Sequence, residues 1–421
     1  MSKEIRINDL ADPVYSDLQK SILEFDEALQ VELSRESILA EAREKTGLDD
    51  FGEEGFLERL DLLVDEWNSD SGLRQIGRMS LRNKLVQHAR SRLLIHDLLK
   101  KHPEIHDIKI EKPIIVAGLP RSGTTHLLNL MASDERLRAL PLWESYEPVP
   151  VPGEELLPDG TDPRYQRCSD TWEMMRQTTP YLAAMHPMNP DHIHEELELM
   201  GPDFASYNYE WLSHSPRWRD HYYSTDQAPH YEYMKTVLKI LTWQQRDTDR
   251  PTRWVLKCPQ HLEQLPVLLK VFPDATIAVT HRDPVSVIQS TVTMLAYGHR
   301  MSRKSVNTGS LIDYWPDRIE HLLKACAADR GKLPEDQSID VPFHEFMADD
   351  LAMVEQIYAK AGLEMTTEAR KQLQDYIDAH PRGKEGQVIY DLEGDFGVSR
   401  ETLSQRFSFY YEQFPVKQES K

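Results

Sequence analysis

The sequence predicts an α/β fold, a three-layer unit in which helices cover both faces of a mainly parallel sheet. Residues 113–131 and 272–290 each show an apolar strand pattern, a turn and then a helix pattern, and residues 254–258 form another apolar run. Strand patterns that alternate with helix patterns are typical of a parallel sheet. Helical patterns before residue 109 and at residues 160–250 predict an N-terminal extension and an insertion.

The N-terminal extension is predicted from apolar spacing. From Asp12 to about His102 prolines are few and apolar residues recur at helical intervals. Ser34 and Gly47 are placed as the cap and the stop of one helix. We therefore expect a helical extension over residues 1–108 and a second domain over 109–421, whose first strand lies near 109–117. The extension could line a pocket or form a dimer contact.

A tight turn joins the first strand to its helix, and Gly118 and Gly123 in this turn are separated by four residues. This spacing is typical of a P-loop-like site, where backbone N–H groups and a helix N-terminus face an anion. Nucleotide triphosphatases place Lys directly after the second glycine. Here Thr124 and Thr125 follow it, and Arg121 is the cation of the turn. The loop therefore favours a phosphate anhydride other than ATP.

The composition limits the partners. The 421 residues carry a net charge of −21, which argues against nucleic acid or an anionic membrane as the main partner. Three widely spaced cysteines indicate free thiols rather than a disulfide framework. The charged start and the lack of an apolar run of about 18 residues predict a cytoplasmic protein without a membrane span. A homo-oligomer is possible.

Two more strand ends carry cations. Lys257 lies just before the strand breaks at Pro259, and Arg282 follows a strand predicted at residues 276–280. Ser290 is placed about two turns into the next helix. A guanidinium and a hydroxyl so arranged can hold one phosphate from two sides. His261, just past the break, could be a base or a helix-cap residue.

The middle of the chain holds candidates for a second substrate. Glu144 follows a short apolar run, residues 140–143, which we interpret as a strand whose end would face a ligand. The many Trp, Tyr and Met residues at 160–245 could line an apolar pocket or form ordinary core. The segment 191–198 lacks the His–His spacing of a helical zinc site, so we expect no metal. His194, Glu195 or Glu196 could orient a substrate hydroxyl.

Near the C-terminus, Arg382, Gly383 and Lys384 precede Gly386 and predict a flexible basic loop. Such a loop could be a solvated turn, or it could fold its backbone and charges over a phosphate.

Together these stretches resemble the sulfotransferases that use 3′-phosphoadenosine 5′-phosphosulfate, and most of all the bacterial branch. The resemblance rests on residues 119–125, 256–262, 281–284 with Ser290, and 382–386, in the family's order. It implies that the 5′-phosphosulfate is bound by Pro120, Arg121, Ser122, Gly123, Thr124 and Thr125. It implies that Arg282 and Ser290 hold the 3′-phosphate, helped by Arg382, Gly383 and Lys384. Arg121 and Lys257 would stabilise the transferring group without a metal.

The chain departs from the animal cytosolic enzymes at three positions. Those enzymes carry Lys in place of Arg121, an adenine-stacking Trp in place of His126, and a catalytic His in place of Pro259. Relatives with an Arg in the loop use a Glu about twenty residues downstream, for which Glu144 is the nearest match. As the base that takes the acceptor's proton we rank Glu144 first, His261 second and the His194–Glu195 pair third.

We therefore expect sulfuryl transfer to a hydroxyl of a small apolar or aromatic acceptor. A nucleotide kinase or ATPase of the same sheet type, and a nucleotide-binding relative without catalytic activity, are the alternatives.

Overall fold

The structure, a computed structural model, describes residues 4–381, 383–384 and 386–419. The strands are β1 Glu4–Arg6, β2 Ile114–Gly118, β3 Val255–Cys258, β4 Thr276–His281, β5 Ser338–Pro342 and β6 Gln387–Ile389. The helices are α1 Asp17–Asp26, α2 Arg35–Thr46, α3 Phe56–Ser69, α4 Gln75–Lys101, α5 Thr124–Ala132, α6 Leu142–Tyr146, α7 Pro163–Thr178, α8 Pro180–Met185, α9 Asn208–Leu212, α10 Pro216–Ser224, α11 Ala228–Gln244, α12 Leu265–Val271, α13 Pro284–Ser302, α14 Thr308–Asp329, α15 Phe343–Phe346, α16 Asp350–Lys360, α17 Thr367–Ala379, α18 Leu392–Phe396, α19 Arg400–Arg406 and α20 Ser408–Gln413. Short 3₁₀ helices cover Pro103–Asp107, Glu196–Asp203, Pro259–Glu263 and Arg330–Lys332.

The central sheet has four parallel strands in the order β3-β2-β4-β5. β2 lies inside the sheet and is buried along its whole length, as expected for its continuous apolar sequence. Parallel pairing brings the carboxyl ends of β2, β3 and β4 to one edge, with Ala117 opposite Cys258 and Gly118 opposite Thr280. Open α/β sheets bind their ligands at this edge.

The two faces of the sheet bury different cores. Along β2, Ile115 and Ala117 belong to one apolar cluster, while Ile114 and Val116 belong to another. Because successive side chains of a strand point to opposite faces, each cluster is one layer between the sheet and its helices. The predicted three-layer α/β architecture is confirmed.

The N-terminal helices share a third core with the insertion. Trp67 donates from Nε1 to Ser215 Oγ at 2.9 Å, and the Arg92 guanidinium lies 3.0 Å from the Asp203 carboxylate. The predicted cap of α2 is present, since Ser34 accepts from the backbone of Ser37. None of the described helices is long and apolar enough to cross a membrane.

One predicted strand is absent, and another begins later than predicted. The chain at 140–143 forms only an isolated bridge at Pro141 and then begins α6. Pro141 lacks an N–H for a strand ladder and takes the N-cap position of the helix. The first strand is β1, which pairs in parallel with β6, and the strand predicted at 109–117 is Ile114–Gly118. Lys112, with a φ of 46°, interrupts the approach to β2.

Candidate active site

The loop between β2 and α5 can be built only with its glycines. A Cβ on Gly118 would lie 1.8 Å from Thr280 Oγ1 on the neighbouring strand. Gly123, the N-cap of α5, has a φ of 82°, and a Cβ there would lie 3.0 Å from the Phe343 ring. Arg121 also has a positive φ, 63°, which is uncommon for a side chain with a Cβ. The loop is therefore a tight turn whose helix N-terminus lies at the ligand-binding edge of the sheet.

Arg121 is the residue on which the strand-end groups converge. Its Nε donates to Ser290 Oγ at 3.0 Å, and one terminal nitrogen donates to the Met185 carbonyl at 2.5 Å. Its own carbonyl accepts from Arg282 at 2.6 Å. The structure thus brings together Arg121, Arg282 and Ser290, which lie on separate segments of the sequence. Tyr390, which the sequence did not single out, donates to or accepts from Ser290 Oγ at 2.9 Å.

Arg282 directly follows β4 and forms an ion pair with a carboxylate of the protein itself. Its Nε and one terminal nitrogen each lie 2.7 Å from the carboxylate of Glu419. Its guanidinium also lies 4.0 Å from the centroid of the Phe343 ring. The sequence did not predict the contact with Glu419, because no local pattern indicates that the C-terminal segment returns to the sheet edge.

The other loop side chains do not all face the ligand edge. Ser122 Oγ donates to the Leu119 carbonyl at 2.6 Å and lies 3.0 Å from Thr280 Oγ1, while its backbone N–H donates to Leu119 as well. Thr124 is also buried. Pro120 and Thr125, in contrast, line a cavity of about 1080 Å³ at this edge of the sheet, which we call the main cavity.

Lys257, near the end of β3, is buried and points toward this cavity. Its Nζ donates to Thr125 Oγ1 at 3.2 Å and forms an ion pair with Glu195. Burial raises the pKa of the Glu195 carboxyl, and the Lys257 ammonium opposes that rise. This geometry places a cation and a carboxylate side by side at the cavity wall.

His261 lies behind Lys257 in a fully enclosed network. Its Nε2 lies 2.5 Å from Glu196 Oε1, and Tyr231 Oη lies 2.9 Å from its Nδ1. The other oxygen of Glu196 accepts from the backbone N–H of Lys257 at 2.8 Å. His261 does not line the cavity, so the network supports the strand that carries Lys257 and gives His261 no access to an acceptor.

Glu144, predicted at a strand end facing the ligand, lies instead on α6. It is buried and forms an ion pair with Arg138, with Gln245 Nε2 3.4 Å from its other oxygen. It does not line the cavity. Its carboxylate neutralises a buried guanidinium, which is a structural arrangement.

The predicted basic loop is only partly described. Arg382 lies outside the described residues. Gly383 has a φ of 74°, and the exposed Lys384 donates from Nζ to the Ala379 carbonyl at 3.3 Å, at the C-terminal end of α17. A cation near the carbonyl end of a helix is an ordinary stabilising contact.

The main cavity has a volume of about 1080 Å³. Its polar lining residues include Arg121, Thr125, Lys257, His194 and Glu195, together with the ion pairs Lys84–Glu198 and Arg90–Glu147. Residues of α1, α4, α7 and α13 contribute apolar walls. Burial lowers the pKa of His194 to about 3, so this imidazole is neutral at ordinary pH. Among the described residues no group of three or more His, Cys, Asp and Glu is arranged to hold a metal ion.

The parallel sheet, the glycine-framed loop after its inner strand β2, and the cations around that loop define a P-loop-like α/β protein. A family model described as the sulfotransferase family matches residues 113–367, and the chain belongs to that family. The resemblance stated from the motifs is confirmed.

Two solved structures are similar over most of their length. Sulfotransferase STF1 from Mycobacterium tuberculosis H37Rv is 27% identical, with a TM-score of 0.76, and the match covers 89% of this chain and 98% of STF1. Sulfotransferase STF9 from Mycobacterium avium is 24% identical, with a TM-score of 0.81, over 93% of this chain and 100% of STF9. The second likeness shows the fold alone. No protein of curated function matched the sequence.

Proposed function

We propose that this protein transfers a sulfuryl group from 3′-phosphoadenosine 5′-phosphosulfate to the hydroxyl of an apolar acceptor in the cytoplasm, without a metal. The observation that carries the proposal is the convergence of Arg282 and Ser290 on Arg121, at 2.6 and 3.0 Å. One nucleotide with a phosphosulfate at the loop and a phosphate on its ribose would use all three residues. The roles of Arg382, Gly383 and Lys384 stay predictions.

The residues fit such a donor in charge and geometry. Glu419 approaches Arg282 with two oxygens, the same bidentate geometry in which a guanidinium binds a phosphate. At the loop, the N-terminus of α5 contributes partial positive charge. Arg121 and Lys257 add two full charges near it. These groups supply the charge neutralisation that Lys and Mg²⁺ provide in ATP-using proteins.

The proposed reaction is an in-line displacement at sulfur. The acceptor oxygen forms a bond to sulfur, the bond between sulfur and the 5′-phosphate oxygen breaks, and its electron pair stays on that phosphate. Glu195 takes the proton of the acceptor hydroxyl. Once protonated, Glu195 no longer neutralises Lys257, so the ammonium becomes available to the phosphate on which charge has built up.

Calorimetry with adenosine 3′,5′-bisphosphate tests the donor. We expect this nucleotide to bind, and we expect adenosine 5′-monophosphate to bind much more weakly because it cannot use Arg282. Arg282→Ala should remove this preference, whereas Arg176→Ala, at an exposed position of α7, should keep it. Equal binding of the two nucleotides by the unaltered protein would contradict the proposal, and Mg²⁺-dependent turnover of ATP would support the kinase alternative instead.

A further inference from the structure

The main cavity reaches from the buried Lys257 to exposed apolar side chains at its mouth. Lys257 is 2% exposed. Three apolar side chains that line the same cavity are exposed to solvent: Phe25 at 59%, Met174 at 58% and Met79 at 38%. Exposed apolar side chains that line one cavity together are a feature of sites where apolar ligands bind.

The mouth of the cavity is held in place by hydrogen bonds between helices. Helix α1 is fastened at both of its ends to the helices on either side of the opening. Gln19 Nε2 donates to the Thr178 carbonyl at 2.6 Å, which ties α1 to α7, and Asp26 Oδ1 accepts from the Ile76 backbone at 2.6 Å, which ties α1 to α4. Gln19 and Asp26 are buried. Phe25 is therefore held at the mouth by its neighbours.

Part of the cavity wall is apolar and adaptable. This part, the methionine wall, includes Met175, Leu182, Met188, Met294 and Leu295. Methionine side chains adjust to irregular apolar surfaces. The volume of about 1080 Å³ is slightly above the usual range of small-molecule pockets, about 300–1,000 Å³. A single phenol ring beside Lys257 would leave most of this wall without a contact.

We propose that the acceptor is a long amphiphilic alcohol, whose hydroxyl lies at Lys257 and Glu195 and whose alkyl body extends along the methionine wall to Phe25, Met79 and Met174. This inference rests on the proposed function and names its acceptor class. Each methylene that the wall buries contributes about 0.8 kcal/mol, which corresponds to about fourfold in binding.

Primary alcohols from hexanol to hexadecanol, assayed with the sulfate donor, test this inference. We expect kcat/KM to rise by about fourfold per methylene until the chain reaches the mouth. The triple variant Phe25→Ser, Met79→Gln, Met174→Gln changes only partly exposed positions. It should lower kcat/KM at least tenfold for the longest alcohols and leave kcat/KM for hexanol unchanged. Leu156 is 65% exposed and does not line the cavity. Leu156→Gln should therefore leave kcat/KM unchanged for both the long and the short alcohols.

The outcomes separate this inference from the proposed function. If adenosine 3′,5′-bisphosphate binds but kcat/KM is independent of chain length, or the triple variant affects short and long alcohols equally, the acceptor class is wrong and the donor assignment stands. If the bisphosphate does not bind, the proposed function itself is wrong. Direct calorimetry of decanol binding to the bisphosphate complex measures the acceptor site without turnover.

Discussion

Glu419 presents both of its carboxylate oxygens to the guanidinium of Arg282, each at 2.7 Å. The contact is supported from the backbone, since the Glu419 N–H donates to Asp283 Oδ2 at 2.9 Å and its carbonyl accepts from Arg400 at 2.7 Å. A carboxylate held in this way occupies the nitrogen atoms of Arg282 that a ribose phosphate would use.

Glu419→Gln is therefore expected to increase the affinity for adenosine 3′,5′-bisphosphate by about tenfold, because a charged competitor becomes neutral. Titration calorimetry measures the change. Affinity for adenosine 5′-monophosphate should not change, and neither should the bisphosphate affinity of Glu412→Gln, which alters an exposed carboxylate on α20. Weaker binding by Glu419→Gln would show that this carboxylate supports the site instead of competing for it.

Two glutamates that the sequence offered as bases can be separated by substitution. Glu195→Gln should lower kcat by about 10²–10⁴, because the acceptor's proton then has no carboxylate to receive it. Since burial raises the pKa of Glu195, kcat of the unaltered enzyme should fall with decreasing pH at values above the pKa of an ordinary glutamate, and Glu195→Gln should lack this limb. The pH profile of kcat measures both effects.

Glu144→Gln is the comparison for that experiment. It should keep kcat per folded molecule but lower the free energy of unfolding by about 3–5 kcal/mol, because the buried Arg138 loses its anionic partner. A large loss of kcat in Glu144→Gln with none in Glu195→Gln would reverse the assignment.

Gly123→Ala should weaken nucleotide binding and lower the free energy of unfolding by about 1–2 kcal/mol. The reason is the φ of 82° together with the Phe343 ring, 3.0 Å from the added Cβ. Gly298→Ala is the matched control: it lies within α13 with no atom within 4 Å of the added Cβ, so it should be neutral or stabilising. Urea unfolding and bisphosphate titration measure the two effects, and equal destabilisation by both substitutions would argue against a strained loop.

Buried neutral histidines make the fold sensitive to acid. Burial lowers the pKa of His88 to about 4 and that of His194 to about 3, from an ordinary value of 6.5. At pH values between these lowered pKa values and 6.5, the unfolded chain binds more protons than the folded one. The free energy of unfolding should therefore decrease as the pH falls below about 6.5, by up to about 1.4 kcal/mol per pH unit for each histidine. Urea unfolding over that range measures this slope.

His88→Gln should remove one histidine's share of this slope, whereas His106→Gln, at an exposed position, should not alter it. An unchanged slope in His88→Gln would mean that other groups cause the acid sensitivity.

The sequence predicted those parts of the site that are local. The glycine-framed loop and the cations after two strands can be read along the chain, and parallel strands necessarily bring such residues to one edge. The pairing of Lys257 with Glu195 and the return of Glu419 to Arg282 are tertiary contacts between distant segments, without a local signal. The prediction for Glu144 failed for a local reason, because a short apolar run does not distinguish a strand from a helix turn. Here Pro141 favours the helix.

The short pairing of β1 with β6 links the beginning of the chain to the segment that carries Tyr390, and Tyr390 in turn contacts Ser290. An affinity tag or deletion that disturbs Glu4–Arg6 would thus change the surroundings of the Ser290 hydroxyl, which lies nearly three hundred residues further along the chain. Recombinant protein intended for nucleotide titrations is better modified elsewhere, for example in the exposed turn around Gly160.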